Sequence, residues 1–296
     1  MLPNPALKEV YDKVVWVYVY RDFSKNEADR QAERISLRFG VTSWPQLFLA
    51  DPQTMKLAQH TGRKVDGFLD AVKRVKVART RSLAAYERTR AAEERAVELE
   101  SRPKLNVAKK LLDDEDIVVR VRALAVVAAK SPKTIVKRAE ELLAVPNDPF
   151  RYEVCRVLED AGDSKAARAL EGLVLRPEPS LNPNVVRIRA VQALATCGDA
   201  ESAVVIAPHA QSGAYFKALT GISVDTLAAL AKRFPKSRKK IAKMLAQAYP
   251  PPAEAGDERA TRACIALAKR VHKARGDKRP FPKVYDEKSR RKLAGG

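Results

Sequence analysis

Cysteine and histidine are the residues of this sequence with the widest chemical repertoire, and their spacing offers no site. The cysteines are far apart, odd in number and set in apolar patterns of helical spacing, so we expect buried free thiols. They are Cys155, Cys197 and Cys264. The histidines lie in different segments with no Cys, Asp or Glu at metal-ligand spacing, and are read as structural or surface residues. They are His60, His209 and His272.

The sequence gives equally weak evidence for other catalytic patterns. Thr61–Lys64 lacks the upstream glycine and the following hydroxyl of a phosphate-binding loop. The acidic run Asp113–Asp116 precedes an apolar helical pattern, where negative charge is expected to cap the helix N-terminus. We therefore expect no catalytic site, no metal site and no cofactor in this chain.

The clearest charged pattern is a basic cluster between residues 232 and 243. Three of its lysines, Lys236, Lys240 and Lys243, recur at i, i+4 and i+7 and would share one helix face. Such a stripe can neutralise phosphates without reading bases, although it can equally be a solvated face. The candidate anion or nucleic-acid contacts are Lys236, Arg238, Lys239, Lys240 and Lys243.

The charge of the whole chain, +20, is concentrated at its C-terminal end. Residues 231–296 contain 20 basic and 6 acidic side chains, whereas residues 146–230 contain 8 and 10. An acidic partner is therefore plausible for the C-terminal part, whether RNA, DNA, anionic lipid or an acidic protein face. No run approaches the length of about 18 apolar residues that a membrane span needs, which favours a soluble protein. The expected location is cytoplasmic by default, and secreted or periplasmic if a signal peptide lies upstream of Met1.

The elements that would carry these residues fall into two groups, and the first is a small α/β pattern. A β-branched and aromatic run predicts a buried strand, a polar amphipathic helix ends at Gly40, and a hairpin and a last helix follow. The resulting order is β-α-β-β-α over residues 14–20, 24–38, 46–50, 56–60 and 65–75.

The segment Arg38–Leu49 resembles the part of the thioredoxin fold in which a helix ends at Phe-Gly-Val and a proline opens the next strand. The resemblance covers roughly residues 3 to 75. It implies a cis proline at Pro45 and an exposed backbone that could receive an extended peptide beside Ser43, Trp44 and Pro45. Redox-active members of that family carry Cys-x-x-Cys, but this chain has no cysteine before Cys155. Thiol–disulfide exchange is therefore not expected, unless the active half, and with it a signal peptide, lies upstream of Met1.

The second group is an internal repeat. A long charged helix leads to Pro103, after which three segments align so that Arg120, Arg151 and Arg187 fall 31 and 36 residues apart. The pattern Val-Arg-x-x-Ala followed by a Gly-Asp turn is similar to HEAT repeats. That resemblance implies stacked helix pairs in a solenoid, with the three arginines in a structural role, stitching units together through acidic groups.

The predicted fold is thus a small α/β thioredoxin-like domain followed by an all-α HEAT-like helical solenoid. The expected divisions are residues 1–76, a connecting helix 77–103, repeats 104–275 and a basic flexible tail 276–296. We expect a non-catalytic protein-interaction scaffold of undefined oligomeric state. The alternatives are a basic protein associated with nucleic acid or ribosomes, and a fragment of a thiol oxidoreductase.

Overall fold

The computed structural model is mostly helical. It describes residues 4–14, 17, 19, 27–41, 47–51, 56–61, 64–75, 83–176, 183–211, 217–248, 258–276, 278, 280 and 281. These residues form two compact units. The first comprises the described residues through Ser131 together with Asn147–Phe150, and the second comprises Pro132–Pro146 and the described residues from Arg151 onward.

The first unit begins with a 3₁₀ helix, two strands and two helices. They are the 3₁₀ helix Pro5–Lys13, α1 Glu27–Arg38, β1 Phe48–Asp51, β2 Lys56–His60 and α2 Val65–Arg74. The strands form an antiparallel hairpin in which Phe48 pairs with His60, and the register shifts between Leu49 and Ala50. A small apolar core of Leu7, Val10 and Phe68 joins the 3₁₀ helix to α2.

The predicted helix–hairpin–helix order is observed, but the predicted first strand is not. Gly40 ends α1 as expected, with a φ of 67° that a side chain would disfavour. Of the run from Val14 to Tyr20, Val14, Val17 and Val19 are described and lie in no strand, and Val17 is 76% exposed. A β-branched composition gives strand propensity, but it does not supply a partner strand. The remainder of that run, and Ser43, Trp44 and Pro45, lie outside the described residues.

Three further helices complete the first unit: α3 Leu83–Ser101, α4 Leu105–Leu111 and α5 Ile117–Lys130. Both α3 and α4 pack on α5, and α1 packs on it as well. The Asp116 side chain accepts a hydrogen bond of 2.8 Å from the Val118 amide, so it caps α5 as the acidic run predicted. The expected boundary at residue 103 stays a prediction.

Buried ion pairs fasten α1 to α3 and α5. The Arg38 guanidinium lies 3.0 Å from Glu93 Oε1 and 3.2 Å from Asp116 Oδ2, and its side chain is only 11% exposed. Arg122 of α5 makes ion pairs with Glu33 of α1, at 3.2 Å, and with Glu100 of α3, at 2.6 Å. Removing one partner of such a pair leaves a charge with reduced access to water, which is costly.

The second unit contains nine helices and two 3₁₀ turns in its described part, although the first three residues of the helix Asp148–Ala161 are assigned to the first unit. The 3₁₀ turns are Ser164–Ala166 and Pro235–Ser237, and the helices are α6 Pro132–Lys137, α7 Ala139–Ala144, α8 Asp148–Ala161, α9 Ala167–Leu175, α10 Pro183–Cys197, α11 Ser202–Gln211, α12 Lys217–Arg233, α13 Arg238–Gln247 and α14 Glu258–Ala274. None of the helices described in either unit is long and apolar enough to span a membrane.

These helices stack in two layers. In the first layer α10, α12 and α14 pack in succession, and α8 joins α10 through the bond from Cys197 Sγ to the Leu158 carbonyl. In the second layer α7, α9, α11 and α13 pack in succession. The layers meet where α9 packs on α10, and where α11 and α13 pack on α12. This is the arrangement of a helical solenoid, in which each pair covers the apolar side of the next.

The Gly-Asp turns predicted from the repeat connect the layers. Gly162 has a φ of 61°, and a Cβ on Gly198 would lie 2.4 Å from the Leu194 carbonyl oxygen. The following aspartates cap the next helical turn: Asp163 Oδ1 accepts from the Lys165 amide at 3.0 Å, and Asp199 Oδ1 accepts from the Ser202 amide at 3.0 Å. Glycine permits the sharp reversal and aspartate satisfies the free amides.

Replacing Arg38 with Ala should lower the free energy of unfolding of the first unit by about 2–3 kcal/mol, because Asp116 and Glu93 lose their partner. Urea unfolding and amide exchange in α1 would measure this. Arg90→Ala is the matched control, since its pair with Glu94 is exposed on both sides and is worth about 0.5 kcal/mol or less. Equal effects of the two substitutions would contradict the buried-pair interpretation.

Candidate interaction surface

The three repeat arginines occupy the same structural position. Each lies in the first turns of a long helix and donates to main-chain carbonyls at the end of the short helix before it or in the turn that follows that helix. Arg120 donates to the Asp114 carbonyl and Arg151 to those of Leu143, at 3.1 Å, and Ala144. Arg187 donates to the Val174 and Arg176 carbonyls at 3.1 and 3.2 Å.

The hydrogen bonds described for the repeat arginines are to main-chain carbonyl oxygens, and the expected pairing with acidic groups stays a prediction. Arg120 binds the turn after α4, whereas Arg151 and Arg187 bind carbonyls at a helix C-terminus. That end carries a partial negative charge and carbonyls without a helical partner, so a guanidinium satisfies both needs. Arg151 is 3% exposed, so its hydrogen bonds to the last carbonyls of α7 are buried.

A second series of arginines connects neighbouring helices of the first layer. Arg189 of α10 forms an ion pair of 2.6 Å with Glu159 of α8. Arg233 of α12 donates to the Ala195 carbonyl of α10 at 2.7 Å. Arg270 of α14 pairs with Asp225 of α12. Each bond runs from one long helix to the preceding one, so these residues hold the layer together.

The second layer exposes one continuous series of side chains, which we call the second-layer face. The members on α9 and on α11 follow i, i+4, i+7 spacing and so share one side of their helix. The second-layer face consists of Glu140, Glu141 and Ala144 on α7, Arg168, Gly172 and Leu175 on α9, Val204, Pro208 and Gln211 on α11, and Lys240, Lys243 and Gln247 on α13. It is acidic on α7, small and apolar in the middle, and basic on α13.

The apolar part of this face carries two large exposed side chains. Leu175 is 62% exposed and Val204 is 48% exposed, and α9 and α11 pack against each other. A cleft of about 140 Å³ lies between α7 and α9. Its lining is apolar at the floor and charged at the rim: Leu143, Ala169, Gly172 and Leu173 with Glu140, Arg168 and Arg176.

A hydrogen-bonded network fixes the charged group at the edge of the cleft. Arg168 pairs with Glu171 at 2.5 Å and with Asp199 at 3.2 Å. Buried Glu171 accepts a hydrogen bond of 2.6 Å from the Ser202 hydroxyl of α11. The guanidinium of Arg168 therefore projects from the surface in a fixed position, which is how an interface residue avoids an entropy cost on binding.

The predicted basic contacts are exposed in the structure, and they do not all share one helix. Lys236 lies in the 3₁₀ turn before α13, while Arg238, Lys239, Lys240 and Lys243 lie in α13. Lys240 also lies 3.6 Å from Glu201 across α11 and α13. The second-layer face could not be predicted from the sequence. Its apolar members are single residues on different helices, and only the packing of those helices brings them together.

The described cysteines and histidines form no reactive group. Burial raises the pKa of Cys155 to about 12 from its ordinary value of 9.0, and burial also raises the pKa of Cys197. Burial, followed by the charge of Arg187, lowers the pKa of His209. Within the described ranges no three His, Cys, Asp or Glu side chains are grouped so that they could hold a metal ion.

Comparison with known proteins supports the repeat assignment. A family model described as HEAT repeats matches residues 105–195, from the first residue of α4 into α10. The predicted HEAT resemblance is confirmed for this segment. No curated protein matches the chain. The helix stacking continues through α14, beyond the matched residues, whereas the thioredoxin resemblance of residues 3 to 75 stays a prediction.

Arg151→Ala should lower the free energy of unfolding of the second unit by about 2–4 kcal/mol, because it removes charged hydrogen bonds from buried carbonyls. Urea titration and amide exchange at the end of α7 would measure the loss. Arg156→Ala on the same helix is the control, since its partners Glu153 and Asp160 are solvent-accessible. An Arg151→Ala protein as stable as the control would contradict the role of Arg151 in stabilising the C-terminal end of α7.

Cys155 should react with a disulfide reagent at pH 8 roughly a thousandfold more slowly in the folded chain than in the unfolded chain, because its thiolate is rare below pH 12. Mass spectrometry of labelled peptides measures the rate, and the urea-unfolded chain provides the control. By the same shift, the contribution of this thiol to stability is complete below pH 9 and is lost as the pH rises toward 12. Equal labelling rates would contradict this burial.

Proposed function

We propose that this chain is a protein-interaction scaffold and that the second-layer face is its binding surface. HEAT-type solenoids present extended surfaces built from one layer of helices. The observation that carries the proposal is the run of Gly172, Leu175, Val204 and Pro208 across α9 and α11, exposed between charged ends. An apolar centre with a polar rim is the anatomy of a protein–protein interface.

The fixed network beside this apolar centre supports the same function. Arg168 and the apolar cleft next to it offer an anchor position, and buried pockets with an Arg or an aromatic side chain carry most of the energy of many interfaces. The floor of the cleft is closed by Leu143 and Leu173, which are buried. A side chain of the partner that entered this cleft would exclude water from the Arg168 ion pairs.

We further propose that residues 1–76 are a thioredoxin-like remnant, 77–103 a connecting helix, 104–275 the repeat array and 276–296 a basic tail. The order α1, β1, β2, α2 supports the first of these. The ion pairs of Arg38 and Arg122 support a structural role for α1, because they hold it over one side of α5, the first long repeat helix. Terminal repeats of solenoids need such covers.

Leu175→Asp combined with Val204→Asp should abolish partner binding, because two carboxylates would be buried against the partner surface. The measurement is affinity capture from a native lysate, quantified by mass spectrometry, for the wild-type chain and the variant. Val97→Asp with Val107→Asp is the matched control, since both valines are comparably exposed, on α3 and α4.

Proteins retained by the wild-type and control chains and depleted, by at least tenfold, with the Leu175 and Val204 variant would support the proposal. An identical set of captured proteins for all three chains would refute it. Circular dichroism of each variant verifies that the helices remain folded.

A further inference from the structure

The positive charge of the second unit collects on α12, α13 and α14. Between residues 231 and 248 and between 258 and 276 there are thirteen arginines and lysines but one acidic residue, Glu258. The exposed members at the α12–α13 turn are Lys232, Arg233, Lys236, Arg238, Lys239, Lys240 and Lys243. The exposed members of α14 are Arg259, Arg262, Lys269, Arg270 and Lys273.

The fold brings two parts of this charge together that are 30 residues or more apart in the sequence. The last turn of α14 ends at Gly276, whose φ is 69°. A Cβ on Gly276 would lie 3.7 Å from Nη2 of Arg238, at the first residue of α13. The C-terminal end of α14, with Lys273 and exposed Lys278, therefore adjoins the N-terminal end of α13, with Lys239 and Lys236. We call these residues, together with exposed Lys240 and Lys243 of α13, the α13–α14 basic surface.

Structural bonds occupy some of the arginines near this surface and leave the lysines to solvent. Arg233 stacks 5.2 Å from the centroid of the Phe234 ring and donates to the Ala195 carbonyl. Arg270 pairs with Asp225. Lys236, Lys239 and Lys243 are exposed, and among the exposed lysines of α13 only Lys240 has a described ion pair, at 3.6 Å. The surface thus presents several exposed point charges of one sign.

We propose that the α13–α14 basic surface binds the sugar-phosphate backbone of a nucleic acid without reading its sequence. Lysine-rich surfaces with clustered charge are the electrostatic footprint of such binding, and lysine contacts phosphate as a point charge. Protein–protein interfaces are instead depleted in lysine and need an apolar centre. Among the described residues, no large apolar side chain is exposed on α12, α13 or α14.

This binding is independent of the second-layer apolar centre, so the two proposals fail separately. The apolar members Leu175 and Val204 lie on α9 and α11, whereas the lysines that carry this inference lie on α13 and in the turn before it. Lys240 and Lys243 also belong to the basic end of the second-layer face, so the separating result is probe binding that survives Leu175→Asp with Val204→Asp. Aromatic platforms for base stacking are not required, because backbone contacts alone supply affinity that is insensitive to sequence.

The experiment measures binding of a fluorescein-labelled oligouridylate and of a labelled DNA duplex by the full chain, by fluorescence polarisation at several salt concentrations. Changing Lys236, Lys239, Lys240 and Lys243 together to Glu should weaken binding of at least one probe more than tenfold. The slope of log K against log salt should also fall, by about 0.7–0.9 for each phosphate that the variant no longer neutralises. Changing the same four residues to Arg should retain binding.

The matched control changes Lys8, Lys73, Lys133 and Lys137 to Glu, which alters the net charge equally at four exposed positions on other helices. That control should bind nearly as the wild-type chain does. Equal weakening of probe binding in both Glu variants would attribute the effect to net charge alone and overturn the proposal. Absence of probe binding by the wild-type chain would also overturn it. A polyglutamate peptide that displaces the probe at comparable concentration would assign the surface to an acidic protein, which also overturns it.

Discussion

A helix that ends inside a packed array leaves its last carbonyl groups facing a neighbouring helix instead of water. The repeats of this chain must therefore provide hydrogen-bond donors for these carbonyl groups. Arg151 and Arg187 do so by reaching back from the next long helix to the carbonyls that close α7 and α9. The same bonds tie each of these long helices to the short helix before it. Loss of the guanidinium would therefore leave these carbonyl groups without a hydrogen-bond donor and would weaken the stacking of the helices.

Once the carbonyls at the helix ends are hydrogen-bonded, the long helices can pack closely. Contacts between neighbouring long helices are then the second requirement for stable stacking. Ion pairs and carbonyl bonds from Arg189, Arg233 and Arg270 connect each long helix of the second unit to the one before it. Gly221 lacks a side chain where Arg270 passes, since a Cβ there would lie 2.5 Å from Nη1 of that arginine. Polar links thus join the neighbouring long helices of the first layer.

The sequence predicted much of this arrangement because repeats have local signals. The turns at Gly162 and Gly198, the Asp116 cap and the end of α1 at Gly40 all follow from residue chemistry that needs no knowledge of the fold. Side-chain partners are different. That Arg151 binds carbonyls, or that Arg38 reaches Glu93 and Asp116, depends on which helices pack together, and spacing along the chain cannot show it.

The family match ends at residue 195 although the helix stacking continues through α14, and the residue types of the later helices account for the difference. The matched residues contain Arg120, Arg151 and Arg187, the three closing arginines, whereas α12 has buried Thr220 at its fourth residue. A family model recognises residue types at fixed spacing, so a unit that packs with different side chains falls outside it. The helices that depart from the repeat pattern are also those with the concentrated positive charge. Their exposed lysines, unlike Arg233 and Arg270, can change without breaking the bonds that join the long helices.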